Sequence, residues 1–282
     1  PWLVFSLVAV AQFMVVLDIS ITNVALPSIK TALDFGSDSA LQWVVNAYAL
    51  TFGGFLLLGG RMADLFGRRR TLLVGMSCFS LFSLAIGFSQ SALILVLLRG
   101  LQGCAAALMS PSALSIVLAT FEEGPRRGRA LGLWSTVATG GAAVGLLLGG
   151  ALTQFFGWEW NFFINVPVGI LMLVLIYRIV PPYGSTLEHN HLDLPGAGFS
   201  TLGLMSFVYA VSQAPQSGWL SWQTIFFALF AAALLCLFVW NESRSEHPLV
   251  PLKLFYTGNV SAANLLMAPL YACVLGIFFI AT

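Results

Sequence analysis

Nine stretches of the chain stay apolar for about the distance that crosses a bilayer, roughly 20 residues each. They run 3–28, 40–60, 71–89, 92–119, 130–152, 162–180, 196–213, 223–241 and 260–282. Short segments between them carry nearly all of the charge. No alternating strand pattern competes with these runs. An open strand edge in lipid would leave backbone groups without partners. The pattern predicts an all-α integral membrane protein that crosses the bilayer nine times.

Composition narrows the class. Of 282 residues, 59% are hydrophobic and 8% are charged, against about 25% charged in an ordinary soluble domain. So little charge cannot cover so much apolar surface, which excludes a soluble enzyme, a nucleic-acid binder and a disordered chain. The net charge of +1 points to no acidic partner. Cys78, Cys104, Cys236 and Cys273 lie in apolar runs with no CxxC pair or nearby His, and read as small apolar helix residues. His189, His191 and His247 fall in loops and read as solvated. No metal cluster, nucleophile triad or cofactor motif stands out, so neither enzyme activity nor a bound cofactor is expected. The chain begins at Pro1 and ends inside an apolar run at Thr282, and reads as a fragment.

Basic residues orient the spans. Ten of the twelve fall on one side: Arg61, Arg68, Arg69, Arg70, Arg126, Arg127, Arg129, Arg178, Arg244 and Lys253. Lys30 is alone on the other side, and Arg99 lies inside a span. Positive residues favour the cytoplasm, which places the N-terminus there too. Trp2, Trp43, Trp158, Trp160, Trp219, Trp222 and Trp240 sit at span ends, with Trp134 one turn inside span 5. All eight read as interfacial anchors, and Trp43 is also a candidate for a substrate cavity.

A short repeat lies beneath this pattern. At an offset of 90 residues, Gly59 matches Gly149, Gly60 matches Gly150, Phe66 matches Phe156 and Gly67 matches Gly157. Each copy ends the second helix of a set of three. An odd number of spans turns the second copy over in the membrane, as in the inverted repeats of transporters. Chance in a chain rich in Gly and Phe is the competing explanation.

Two ionisable residues lie deep in spans, Asp18 and Arg99. Each costs at least about 2.5–3.5 kcal/mol at mid-helix, so each should face a partner or a wet cavity. Counting 1.5 Å per residue puts them roughly 15 and 10 Å from the outer surface, close enough in depth to meet. Arg99 keeps its charge, whereas Asp18 can gain or lose a proton as its surroundings change. The same pair can equally be a static lock between two helices. Thr22, Gln42, Asn46, Gln102 and Gly103 extend the polar faces beside them, either lining a cavity or making ordinary interhelical hydrogen bonds. In span 5, Gly141, Gly145 and Gly149 repeat every four residues and make one smooth face, flanked by Gly132 and Gly150.

These residues carry a resemblance. The stretch from Gly60 through Asp64, Gly67, Arg68 and Arg69 to Arg70 resembles the loop 2–3 motif of the major facilitator superfamily. Leu95, Arg99, Gln102 and Gly103 resemble its span 4 motif, whose arginine is linked to proton transfer. Gly132, Gly141, Gly145, Gly149 and Gly150 are similar to its span 5 antiporter motif, with Leu146 where proline is usual. Leu17–Pro27 and Trp158–Gly169 look like the motifs of the fourteen-helix drug:proton antiporters.

The resemblance implies a proton-coupled multidrug exporter, working by alternating access and conferring antibiotic resistance. It implies an N-terminal six-helix half over 1–180, two extra helices with their linkers over 181–259, and the start of a second half at 260–282. Asp18 and Arg99 would couple protons, and Gly60, Asp64, Gly67, Arg68, Arg69 and Arg70 would form a cytoplasmic gate. Its partners would be the bilayer, protons and a small-molecule substrate, in a monomer of the bacterial inner membrane that binds no nucleic acid. A nutrient uniporter or symporter, or a membrane sensor or scaffold that transports nothing, are the other readings open to the sequence.

Overall fold

The computed structural model describes residues 1–182, 193–245, 248–250, 252, 258, 261–263 and 265–267. Among them are nine helices and no strand: α1 (Trp2–Ala32), α2 (Asp38–Phe66), α3 (Arg68–Gly87), α4 (Ala92–Thr120), α5 (Pro125–Phe155), α6 (Trp160–Phe163), α7 (Asn165–Ile179), α8 (Leu194–Ser217) and α9 (Trp222–Arg244). Seven helical units are long and apolar enough to cross a membrane: α1 to α5, the α6–α7 pair and α9. Of the eight expected spans that fall wholly or mainly on described residues, only the seventh, α8, is not among them. The 24-residue α8 has the length, but Gly196, Gly198, Ser200, Thr201, Gly203 and Ser206 dilute its apolar run. Most of span 9, with His189, His191, His247, Lys253 and Cys273, lies outside the described residues.

The sixth span is divided at Ile164. Pro167 explains the break: it has no N–H for the Phe163 carbonyl four residues back, and its ring crowds that carbonyl. Elsewhere local chemistry sets the ends. The Ser37, Asp193 and Ser221 side chains cap α2, α8 and α9 by accepting from the backbone N–H groups of Ala40, Gly196 and Thr224. Gly67 alone joins α2 to α3, with φ at 94°. That left-handed conformation suits glycine and strains other residues.

Glycines set how closely the helices meet. In lipid there is no hydrophobic drive between apolar helices, so their association rests on close packing and hydrogen bonds. On α5, Gly141 faces Phe13 and Val16 of α1, Gly145 faces Ser20, and Gly149 faces Ile21. The α2–α4 crossing uses Gly59 against the Ala107 carbonyl and Gly103 against Tyr48 and Thr51. Thr51 then donates its hydroxyl to the Gly100 carbonyl at 2.7 Å. The two stretches aligned at an offset of 90 share this geometry. Gly67 and Gly157 both have positive φ, 94° and 106°, while Gly59 packs α2 on α4 and Gly149 packs α5 on α1.

α8 lies along α2, and α9 packs on α8. Trp43 meets Tyr209 of α8 with ring centroids 5.8 Å apart, Gln216 donates to Gln42 at 2.6 Å, and Gly54 makes room for Met205. One tryptophan departs from the anchor expectation. Trp158 is buried among Ala25, Ile29, Phe35 and Phe162, whereas Trp2, Trp160, Trp219, Trp222 and Trp240 are exposed. The turn after α5 folds Trp158 back under α1, so proximity to a span end did not predict a place at the interface.

Candidate functional site

Five helices meet at Asp18. The residue follows four turns of apolar sequence in α1, and the packing of α4 and α7 on that helix leaves its side chain fully buried. Arg99 of α4, also fully buried, donates from Nη1 to Asp18 Oδ2 at 2.5 Å. Gln102 lies one turn beyond Arg99 on the same face of α4. Its Oε1 accepts from Arg99 Nη1 at 2.6 Å, and its Nε2 donates to Asp18 Oδ1 at 3.0 Å. The Arg99 Nε donates to the Val44 carbonyl of α2 at 3.1 Å. The guanidinium lies 4.3 Å from the Tyr48 ring centroid and 5.8 Å from that of Phe162. Aromatic faces stabilise a cation electrostatically.

Two residues that the sequence reading left out complete the cluster. Asn165, the first residue of α7, donates from Nδ2 to Asp18 Oδ1 at 3.0 Å. Ser83 of α3 accepts from Gln102 at 2.7 Å and from Asn165 at 3.3 Å. A buried carboxylate that accepts three hydrogen bonds and faces a guanidinium is compensated in charge and in geometry. Removing one member of such a pair typically costs about 3–5 kcal/mol. An amide inside an otherwise apolar run was the signal that could have found Asn165. Ser83 had none, because serine is common in membrane helices.

The other candidates divide. Thr22 is buried, and its hydroxyl is spent on its own helix, donating to the Asp18 carbonyl at 2.7 Å. Gln42 and Trp43 face α8, and Asn46 is half-buried on α2. Gly103 lets α4 approach α2 beside the cluster. Gly132 has open space around it, and Gly150 only touches Val24.

The basic stretch lies apart, at the turn between α2 and α3. Arg69 donates to the Val180 carbonyl at 2.9 Å and stacks 5.0 Å from the Tyr177 ring. It thereby caps the last turn of α7, where the helix dipole favours a cation. Thr71 donates to both the Met62 and Gly67 carbonyls at 3.2 Å, which ties the turn together. Arg70 is exposed and Arg68 half-buried. Gly60 contacts Pro111 of α4. Among the described residues no group of His, Cys, Asp and Glu could hold a metal ion.

Comparison with known proteins agrees with this architecture. The model of the Major Facilitator Superfamily matches residues 8–282. The puromycin resistance protein of Streptomyces alboniger is 42% identical over 250 residues, covering 89% of this chain and 49% of that protein. The cephamycin export protein of Amycolatopsis lactamdurans is 42% identical, covering 93% of this chain and 54% of its own length. The tetracenomycin C resistance and export protein of Streptomyces glaucescens is 37% identical, covering 99% and 52%. The chain thus spans about half the length of these relatives. Among solved structures, a POT family transporter superposes with a TM-score of 0.61 at 17% identity, covering 88% of this chain and 56% of that one. A proton:xylose symporter gives 0.55 at 14%, covering 86% and 54%. An all-α bundle with this fold, matched along nearly its whole length by the family model, belongs to the Major Facilitator Superfamily.

Proposed function

We propose that the chain is the N-terminal portion of a proton-driven exporter of hydrophobic or amphipathic compounds, with Asp18 as the proton site. The observation that carries the reading is the buried Asp18–Arg99 pair, joined by hydrogen bonds to Gln102, Ser83 and Asn165. A titratable acid beside a permanent cation, where several helices meet, couples proton binding to helix movement. The relatives named for antibiotic resistance and export support the outward direction and a drug-like substrate. The decisive test uses the full-length protein in proteoliposomes with puromycin as the probe. Puromycin should release protons from the wild type, and a wild type that moves puromycin without proton exchange overturns the reading.

In this reading residues 1–180 are the first transporter half, 181–259 add two helices, and 260–282 begin the second half. The protein is a monomer in the bacterial plasma membrane with its N-terminus in the cytoplasm. The lopsided distribution of basic residues supports that orientation. A cysteine placed at Ser217 should then be labelled by an impermeant maleimide in intact cells, and one at Gly128 should not. The reverse pattern would turn the molecule over.

The α2–α3 turn is the cytoplasmic gate. Its helix ends, its charged residues and the Arg69 cap on α7 bind several helices at one membrane surface. Asp64→Asn and Arg68→Ala should each lower the rate of puromycin efflux while leaving membrane insertion intact. Wild-type rates in both would remove the gating role.

A further inference from the structure

Several rungs join α3 to the α6–α7 span, and they differ in kind. Nearest the cytoplasm, Arg69 donates to the Val180 carbonyl at the end of α7, and further in Gly169 packs on Ser80. At the other end, Gly87 accommodates the ring of Phe163 of α6. None of these contacts includes Asp18. Between them Asn165 donates to Ser83 at 3.3 Å and to Asp18 at 3.0 Å. Asn165 is only 1% exposed, and Ser83 and Asp18 are fully buried. The middle rung is thus the one that contains the acid's own hydrogen-bond partner.

The chemistry of the amide makes this consequential. Ionised Asp18 only accepts, and it meets donors from Arg99, Gln102 and Asn165. A protonated carboxyl must donate, and Arg99 cannot accept. An amide can turn round and offer its oxygen. If Asn165 turns, its Nδ2 leaves Ser83, and the hydroxyl has to reverse its own role or lose the bond. The charged and titratable groups facing Asp18 are Arg99 from α4 and the Tyr48 phenol from α2. The nearby faces of α3, α6 and α7 contribute Ser83, Phe162 and Asn165, none of which titrates near neutral pH.

We propose that Asn165 is a positioning residue that passes the protonation state of Asp18 to the α3–α7 interface, through the hydrogen bond it shares with Ser83. The inference rests on the reading of Asp18 as the proton site. Protonation loosens the middle rung while the others, the Arg69–Val180 bond among them, hold, so α7 pivots on α3 near the break at Ile164. Asn165 lies next to that break, where a small change in direction moves the rest of the helix.

The test measures distances by pulsed electron paramagnetic resonance in the full-length protein in nanodiscs. Spin labels replace Leu81 on α3 and Leu171 on α7, both exposed, in a background with the native cysteines changed to alanine. Wild type should show a distance distribution that shifts with pH, and Asp18→Asn should hold it in the low-pH form. Asn165→Ala should lose the response both to pH and to Asp18→Asn, and Asn165→Gln should recover part of it. Ser83→Ala, a substitution with little risk to folding, should also lose the response. If Asn165→Ala or Ser83→Ala responds as wild type does, Asn165 merely packs the helices and the inference falls. If wild type itself is insensitive to pH and identical to Asp18→Asn, the proton-site reading falls first and takes the inference with it.

Discussion

Asp18→Asn in the full-length protein is expected to abolish proton-driven drug accumulation while leaving drug binding measurable. The substitution keeps the shape of a protonated carboxyl and removes the ability to titrate. Its hydrogen bonds can be kept, because Gln102 and Asn165 are amides that can turn to meet an amide nitrogen, while Arg99 loses its anionic partner and some stability goes with it. Binding and coupling should therefore separate, with proton release on adding puromycin falling to background and equilibrium puromycin binding retained. An Asp18→Asn variant that exchanges protons for drug as wild type does would place coupling elsewhere and make Asp18 structural.

Arg99→Ala should lose active transport as well. It leaves a fully buried carboxylate without its cation and strips the donor from the Val44 carbonyl. The typical cost is about 3–5 kcal/mol, so active transport and thermal stability should fall together. Arg99→Lys keeps the charge but not the fork that reaches Asp18, Gln102 and Val44. It should keep part of both.

The second large effect is expected at Gly103. A side chain there would run into the Thr51 hydroxyl and the Tyr48 carbonyl, which is backbone and cannot move alone. Gly103→Leu should push α4 away from α2, break the Thr51–Gly100 hydrogen bond and separate Arg99 from Val44. Overpacking of this kind costs about 1–3 kcal/mol, to which the lost bonds add. The expected result is a clear drop in melting temperature of the purified protein, measured by fluorescence-detected size exclusion, with loss of transport. Gly128→Ala, on α5 with open space around it, is the control and should melt as wild type or slightly higher, since alanine favours helix by about 1 kcal/mol over glycine. Equal melting of Gly103→Leu and the control would show that the α2–α4 approach is not sensitive to packing.

Much of this protein was legible in its sequence because lipid imposes simple rules. Apolar length yielded the helices of α1 to α5 to within a few residues at most ends, and the cost of burying charge marked Asp18 and Arg99 as needing a partner or a wet cavity at depths that let them meet, as they do across 81 positions. The four-residue glycine period marked the face of α5 that meets α1. The errors have physical causes as well. Interfacial preference describes exposed rings and so predicts an anchor at Trp158, whereas the turn after α5 buries this one. What the face of α2 with Gln42 and Trp43 meets is not legible in sequence, because a polar face has no label saying which helix lies beside it. The contacts with α8 came from packing.

The sequence by itself determined what must be solved: which segments are helical, which charges cannot stand alone in lipid, and where backbones can approach. Those are local properties, set by each side chain's transfer cost and by the absence of a Cβ at glycine. The tertiary structure alone decided how they are solved. Ser83 and Asn165 are unremarkable in sequence and 82 positions apart, yet they share a hydrogen bond beside Asp18. Arg69 caps a helix end 111 residues away. Such partners are chosen by helix crossings and by the break ahead of Pro167, which fix directions that no single segment contains.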